Sequence, residues 1–225
     1  MRIRFWGVRG SLPTPLTPGK LKSKVSSILQ RVTPADLETQ ESRELFLARL
    51  PDYLFSTVGG NTSCVEIATS EPFRLVFDAG SGLRDLGWAI REGGKAETIH
   101  LFLSHFHWDH IQGLPFFGPG YNPANTISVY SPFADLESIL SSQMRRPYFP
   151  VELSALVAIK QFVHLEKGTI HLGGVSVSHK AMNHPGGCYS FAIREKDKKV
   201  VYATDTELSA TDFHRTPENI AHFDG

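Results

Sequence analysis

Residues 105–110 read His-Phe-His-Trp-Asp-His and directly follow a mainly apolar, strand-like run. Along an extended backbone, residues two positions apart project to the same side, so His105 and His107 can reach one metal ion. Asp109 and His110 then turn away from that pair and can serve a second ion close by. Imidazole and carboxylate ligands together suit zinc best, with manganese or iron as alternatives. The spacing therefore predicts a metalloenzyme whose site lies on a loop that ends a strand.

Two later motifs supply further ligands for these ions. His184 follows a predicted strand and precedes Pro185-Gly186-Gly187, a turn that lets the backbone approach a bound group. We assign it as the third ligand of the first ion. Asp205 also follows a predicted strand, and its two carboxylate oxygens can bridge both ions. The predicted metal ligands are thus His105, His107, Asp109, His110, His184 and Asp205, and Asp109 and His110 are also the predicted catalytic residues.

Asp78 ends another predicted strand, shortly before Gly80 and Gly82. In that position its carboxylate can orient a histidine ligand by a hydrogen bond. It can equally cap the helix that we expect to follow. The residues leave both roles open.

Composition indicates one globular domain over residues 1–225, because 41% of the residues are hydrophobic and 20% are charged. The formal net charge is zero, which gives no electrostatic case for nucleic acid or membrane as a partner. The N-terminal residues lack an apolar stretch long enough for a signal peptide or a membrane span, so we expect a cytoplasmic protein. Cys64 and Cys188 are too few for a disulfide framework, and we expect both as free, buried thiols.

Strand-like runs rich in β-branched and aromatic residues alternate with turns and helices. The predicted strands are residues 3–7, 64–68, 74–77, 99–103, 127–130, 175–179, 189–194 and 200–203. Helices are predicted at residues 81–91 and 133–145. This order favours an α+β domain with two sheets packed face to face and helices outside.

Residues 17–55 form a predicted helical insertion within this domain. An apolar stripe at helical spacing predicts a first helix, and its members are Leu21, Val25, Ile28, Leu29 and Val32. Thr33-Pro34 then supplies an N-cap and a first-turn proline for a second helix that runs to about Leu50, before Pro51. The pair can cover the core, form a dimer contact or act as a lid over the site.

The His-x-His-x-Asp-His motif resembles the signature of the metallo-β-lactamase fold family. The resemblance extends from Met1 to about Leu208 through residues 2–11, 59–64, 77–82, 184–188 and 203–207. It implies a four-layer αββα sandwich. Within the family, the chain is most similar to the phosphodiesterase-like hydrolases, which include cyclic-phosphate diesterases and, more distantly, ribonuclease Z.

Together the motifs and the resemblance predict a hydrolase with a dinuclear site, two zinc ions and a metal-bound hydroxide. The net positive charge of such a site favours a small anionic phosphodiester, such as a cyclic phosphate, as substrate. One alternative is a ribonuclease-like nuclease of the same fold, although the chain lacks the clustered Lys and Arg that nucleic acid normally needs. Another alternative is a metal-binding or interaction protein without turnover.

The family normally continues beyond the Asp205 motif with a strand, a helix and a final metal-binding histidine. Because this sequence stops at Gly225, we expect a truncated C-terminal part. The second ion would then lack a protein ligand, whose place water, His214 or His222 would take. We also expect an exposed sheet edge that invites pairing with another copy of the chain, which would give a homodimer.

Overall fold

Two β-sheets form the centre of the protein. The computed structural model describes residues 1–55, 60–207 and 214–224. The first sheet has the strand order β1 (Arg2–Gly7), β2 (Cys64–Ala68), β3 (Arg74–Phe77), β4 (Thr98–Phe102), β5 (Thr126–Ser131) and β6 (Ile159–His164). The second has the order β10 (Lys198–Tyr202), β9 (Cys188–Glu195), β8 (Val175–Met182) and β7 (Thr169–Leu172). Strands β3 to β6 run parallel, and the remaining pairs are antiparallel.

Helices surround these sheets. They are α1 (Pro18–Leu29), α2 (Gln40–Arg49), α3 (Gly82–Gly93), α4 (Trp108–Ile111), α5 (Leu136–Gln143) and α6 (Pro217–Phe223). Gly94 ends α3 in the left-handed conformation, with φ of 66°, as is common for a helix C-cap. In the described part of the chain, none of these helices has the length and apolarity needed to cross a membrane.

The first sheet has an apolar core on each face. Alternation along its strands sends Val76 and Leu101 towards α3 and α5, whereas Phe77 and Phe102 face the second sheet. Those two phenylalanine rings stack at 5.1 Å and contact Phe191 of β9. The aromatic cluster therefore holds the two sheets together.

Helix α6 covers the opposite face of the second sheet. Its His222 ring bonds to the Ser190 hydroxyl of β9 at 2.8 Å, and the Lys199 ammonium group donates to the Ala221 carbonyl at 2.9 Å. The order of layers is therefore helices α3 and α5, first sheet, second sheet and helix α6. This confirms the predicted α+β class and the αββα sandwich.

Outside the insertion, the sequence prediction missed two strands and made one helix too long. Strands β6 and β7 were not predicted, because β6 is a half-exposed edge strand with polar residues among its apolar ones and β7 is a four-residue hairpin arm. The helix expected over residues 133–145 is shorter: α5 begins after Asp135 and ends at Gln143.

The second helix predicted for the insertion is divided. Pro34–Leu37 form a 3-10 turn, and Thr39 then starts α2 by accepting a hydrogen bond from the Ser42 amide at 3.0 Å. The Asp36 carboxylate bonds back to the amide of Thr33 at 2.8 Å. A second capping residue within the segment therefore interrupts the helix that one continuous pattern suggested.

The insertion packs through only part of the predicted apolar face. Ile28 and Val32 contact a small apolar cluster formed by Phe46, Leu50 and Leu54. The other stripe residues are largely exposed: Leu21 at 54%, Val25 at 46% and Leu29 at 64%. Only the C-terminal end of the stripe therefore faces α2, and the role of the insertion stays a prediction.

Candidate metal centre

The metal motif changes from extended to helical backbone within six residues. His107 has φ of −61° and ψ of 148° and stands as the N-cap of α4, which begins at Trp108. His105 and His107 both precede the helix, and their ring centroids lie 4.6 Å apart. Asp109 and His110 lie in the first turn of the helix, where the side-chain period is 3.6 rather than two. This change of period separates the motif into two pairs.

The structure brings the six predicted ligands together in two groups. His105, His107, His184 and Asp205 form one group, and Asp109, His110 and Asp205 form the other. Within each group, one ligand atom from every residue lies within 4.8 Å of the others. Asp205 belongs to both groups, as expected of a carboxylate that bridges two cations.

One oxygen of Asp205 lies at the meeting point of the histidines. Its Oδ2 is 3.3 Å from His110 Nε2, 3.6 Å from His105 Nε2 and 3.8 Å from His184 Nε2. Asp109 Oδ2 completes the second group at 3.4 Å from His110 Nε2. Imidazole nitrogens and carboxylate oxygens thus converge on one small volume.

Two of these nitrogen atoms are buried without a hydrogen-bond partner among the described residues, namely Nε2 of His105 and Nε2 of His110. Both residues are 1% exposed. Because a buried polar atom without a partner is costly, such atoms need an explanation. A cation bound at Nε2 of each ring supplies one, and the donor set fits zinc.

The same two histidines have pKa values shifted in opposite directions. Burial lowers the pKa of His105 to about 4, and the nearby His110 adds to this effect. Burial also acts to lower the pKa of His110, but the hydrogen bond and charge of Asp78, with the charges of Asp205 and Asp109, outweigh it and raise the pKa to about 9. At neutral pH, His105 is therefore a ready ligand, whereas His110 carries a proton that a cation must displace.

Asp78 is the hydrogen-bond acceptor behind the centre. It is fully buried, and its Oδ2 lies 2.7 Å from His110 Nδ1. The same oxygen accepts from the Ser104 hydroxyl at 2.8 Å and from the Tyr202 hydroxyl at 2.6 Å, and Oδ1 accepts from the Ser104 amide at 2.8 Å. Ser81, not Asp78, is the N-cap of α3. Of the two contacts left open by the sequence, the structure therefore shows the hydrogen bond to a histidine and not the helix cap.

Strained backbone accompanies these contacts. Ser11, Asp78 and Asp205 have φ of 63°, 60° and 43°, values that non-glycine residues seldom adopt. In this conformation the Ser11 amide donates to Asp109 Oδ2 at 2.8 Å. Strain at residues around one cluster is typical of a functional site, where the surrounding structure holds it in place.

Two glycines form the turn after His184, and one of their amides is used within the turn. Gly186 and Gly187 have φ of 83° and 86°, which favours glycine at both positions. The Gly187 amide donates to the His184 carbonyl at 2.9 Å and is therefore engaged in the turn. Only the Gly186 amide remains as a candidate contact for a substrate oxygen.

His222 does not supply the missing ligand considered for the second ion. Its Nε2 bonds to Ser190 on the outer face of the second sheet. His214 likewise belongs to neither ligand group found among the described residues.

Sequence reasoning missed three contributors to the site: the Ser11 amide, the Ser104 hydroxyl and the Tyr202 hydroxyl. Ser104 directly precedes the motif and Tyr202 lies three residues before Asp205. Both residues lie at or just after the end of a predicted strand that leads to a predicted ligand. That position is a signal in the sequence from which their contact with the site could have been predicted.

Comparison with known proteins places the chain in a family. A family described as the β-lactamase superfamily domain matches residues 73–224. Curated relatives include ribonuclease Z of Prochlorococcus marinus subsp. pastoris, 27% identical over 156 residues that cover 65% of this chain and 48% of the relative. Another is ribonuclease BN of Enterobacter sp. strain 638, 28% identical over 152 residues that cover 61% of this chain and 45% of the relative.

The chain spans about half the length of the curated relatives it matches. A solved structure, the metallo-β-lactamase fold protein YhfI from Bacillus subtilis, aligns with a TM-score of 0.51 at 20% identity. That alignment covers 68% of this chain and 58% of the other, and it supports the fold alone. Residues 73–224, which match the family, include the metal motif, His184 and Asp205. The chain therefore belongs to the β-lactamase superfamily and has the metallo-β-lactamase fold.

Proposed function

We propose that this protein is a metal-dependent hydrolase that binds two divalent cations, zinc foremost, and cleaves a phosphodiester. His105, His107 and His184 would hold one ion, Asp109 and His110 the other, and Asp205 would bridge them. Manganese and iron are the alternative ions for the same ligand set. The observation that carries the proposal is the pair of buried, unpartnered Nε2 atoms that face Asp205 Oδ2.

The charge of the site supports an anionic substrate. Two divalent cations bring four positive charges, and Asp109 and Asp205 offset only two of them. Bound cations would polarise a phosphoryl oxygen and lower the pKa of water, which is the chemistry of phosphodiester hydrolysis. Gly186 lies close to the ring of His107, since a Cβ atom there would be 3.7 Å from His107 Nε2, and its amide would donate to an oxygen of the bound substrate.

The size of the substrate distinguishes two candidates. A small diester such as a cyclic phosphate agrees with the zero net charge of the chain. Cleavage of RNA is the second candidate, and the curated relatives named ribonuclease Z and ribonuclease BN favour it. They also weaken the prediction that nucleic acid is not a partner, because the match to this chain spans only about half the length of those relatives.

Metal content and turnover test the proposal together. Zinc-loaded protein should retain metal after dialysis, measured by elemental analysis, and should hydrolyse bis(p-nitrophenyl) phosphate. Cyclic nucleotides and a short RNA hairpin then separate the two substrate candidates. Full metal occupancy without turnover of any of these diesters would indicate a metal-binding protein instead.

A matched pair of histidine variants controls this experiment. Loss of a residue that only hydrogen-bonds to a metal ligand typically lowers activity by roughly 10–100-fold. His107→Ala removes a ligand itself and should therefore lower kcat/KM by more than that. His171→Ala removes an exposed histidine of β7 and should leave activity unchanged. Equal loss in both variants would argue against the assigned site.

A further inference from the structure

The hydroxyl group of Ser104 lies between Asp78 and His105. Ser104 is fully buried, and its Oγ is 2.8 Å from Asp78 Oδ2 and 3.0 Å from His105 Nδ1. A hydroxyl group has one proton to donate, and a carboxylate oxygen can only accept. The Ser104 proton therefore goes to Asp78, and the Ser104 oxygen accepts a proton from His105.

This direction of hydrogen bonding places the proton of His105 on Nδ1. The lone pair of the neutral ring is then on Nε2, the buried atom that lies 3.6 Å from Asp205 Oδ2. His110 is oriented in the same way by a shorter route, because its Nδ1–H donates directly to the same Asp78 oxygen at 2.7 Å, so that Nε2 is the nitrogen from which a cation would displace a proton. In both rings the hydrogen bond on one nitrogen determines which nitrogen can bind a metal.

We propose that Ser104 is a positioning residue whose hydroxyl group relays the hydrogen-bonding effect of the Asp78 carboxylate to His105. One buried carboxylate then sets the proton position on a histidine of each ligand group: on His110 directly and on His105 through Ser104. The inference rests on the proposed metal-binding function, because the proton position has consequences only if Nε2 binds a cation.

The contacts around Asp78 make the two arms of this network separable. The Ser104 amide and the Tyr202 hydroxyl also donate to the carboxylate, at 2.8 and 2.6 Å. With Ser104→Ala, these two donors and His110 still hold Asp78. The substitution therefore removes the arm that leads to His105 and leaves the arm to His110 in place.

Ser63 offers a control of the same chemistry. Its hydroxyl is 2.7 Å from the Tyr202 hydroxyl, and it is 8% exposed. Ser63→Ala removes a buried hydroxyl from the same network, but one that contacts neither Asp78 nor a histidine of the site in the described structure. It should alter the network's stability without moving the His105 proton.

The test reads the proton position directly. Long-range proton–nitrogen correlation spectra of metal-free, ¹⁵N-histidine-labelled protein at pH 7.5 report which nitrogen of each ring carries the proton. We expect Nδ1–H for His105 in the unsubstituted protein and in Ser63→Ala, and a shift towards Nε2–H in Ser104→Ala. Zinc titration should show a fall of about 10–100-fold in the affinity of the His105 group in Ser104→Ala. The affinity of the Asp109 and His110 group should change far less.

Three results would overturn the relay. They are an Nε2–H proton on His105 in the unsubstituted protein, unchanged zinc affinity in Ser104→Ala, and an equal shift of the His105 proton in Ser63→Ala. If Ser104→Ala does not fold, the spectrum of the unsubstituted protein still shows which nitrogen of His105 carries the proton. Failure of the unsubstituted protein to bind zinc would instead count against the proposed function. The spectrum of the metal-free protein tests the relay even then, because it reports the His105 proton without any bound metal.

Discussion

His107 Nδ1 and His184 Nε2 lie 3.0 Å apart, although 77 positions separate the two residues in the chain. His107 follows β4 of the first sheet, and His184 lies between β8 and β9 of the second. Gly186 lies in the turn after His184, and its φ of 83° rather than a lack of space favours glycine there, since a Cβ atom would make only an ordinary contact of 3.7 Å with His107 Nε2. The candidate metal centre therefore spans the two sheets at one end of the sandwich.

The division of the ligands into two groups predicts selective metal loss. His107→Ala or His184→Ala should lower zinc content by about one ion per chain and spare the other ion, whereas Asp109→Ala should remove the other. Asp205→Asn should weaken both sites. Elemental analysis after dialysis measures the content, with His171→Ala as the unaffected control. Equal loss in all site variants would show that the two sites are inseparable.

Proton release should accompany binding of the second ion. The raised pKa of His110, about 9, means that its ring loses a proton when Nε2 binds a cation at pH 7.5. Affinity at this site should rise about tenfold per pH unit below pH 9 and then level off. Calorimetry in buffers of different ionisation enthalpy measures the release, which we expect to be about one proton.

Asp78→Asn provides the control for this proton release. It removes the charge that raises the pKa of His110, so the release at pH 7.5 should decrease. Binding of the second ion without proton release in the unsubstituted protein would contradict the assignment of His110 as its ligand.

Gly113 packs against the loop that follows Asp78, and we expect that a side chain at this position is not tolerated. A Cβ atom there would lie 1.9 Å from the Gly80 carbonyl oxygen, a contact that requires backbone movement. Gly113→Ala should therefore lower the free energy of unfolding by at least about 1–3 kcal/mol and weaken the second metal site. Urea unfolding and zinc titration measure both effects.

Gly93→Ala is the matched control for this substitution. Gly93 is the last residue of α3, directly before the C-cap Gly94, and a Cβ atom there would meet no neighbouring group within 4 Å. Alanine there should leave stability unchanged or raise it by up to about 1 kcal/mol. A similar loss in both variants would mean that the Gly80 contact is not the cause.

His222 should make the stability of the protein depend on pH below neutrality. Burial, followed by the charges of Lys180 and Lys199, lowers its pKa to about 4. Because the folded pKa lies below the unfolded value of 6.5, the contribution is complete above pH 6.5 and is lost as the pH falls towards 4. The loss between pH 7.5 and 4.5 should be about 2–3 kcal/mol.

His222→Gln keeps a polar group near Ser190 but does not titrate. Urea unfolding of metal-free protein at the two pH values compares it with the unsubstituted chain. We expect the variant to lose about 2–3 kcal/mol less over that range. An identical pH dependence in the two proteins would show that His222 is not the titrating group.

The sequence by itself determined the local part of the site. Four of the predicted ligands lie within six residues, and the periods of strand and helix alone separate them into the pairs His105 with His107 and Asp109 with His110. The strands with continuous apolar runs were also predicted, because burial on both faces of a strand leaves a clear pattern in the sequence. The half-exposed β6 and the short β7 left none.

Only the tertiary structure decided which distant groups meet. The position of Asp205 Oδ2 between three histidines and the contact of Ser104 with Asp78 depend on how the two sheets pack. The packing face of the insertion was decided in the same way, since the apolar stripe of α1 is wider than the part that α2 covers. Local periodicity fixes the direction of a side chain from its own backbone, whereas its partner depends on contacts between segments far apart in the chain.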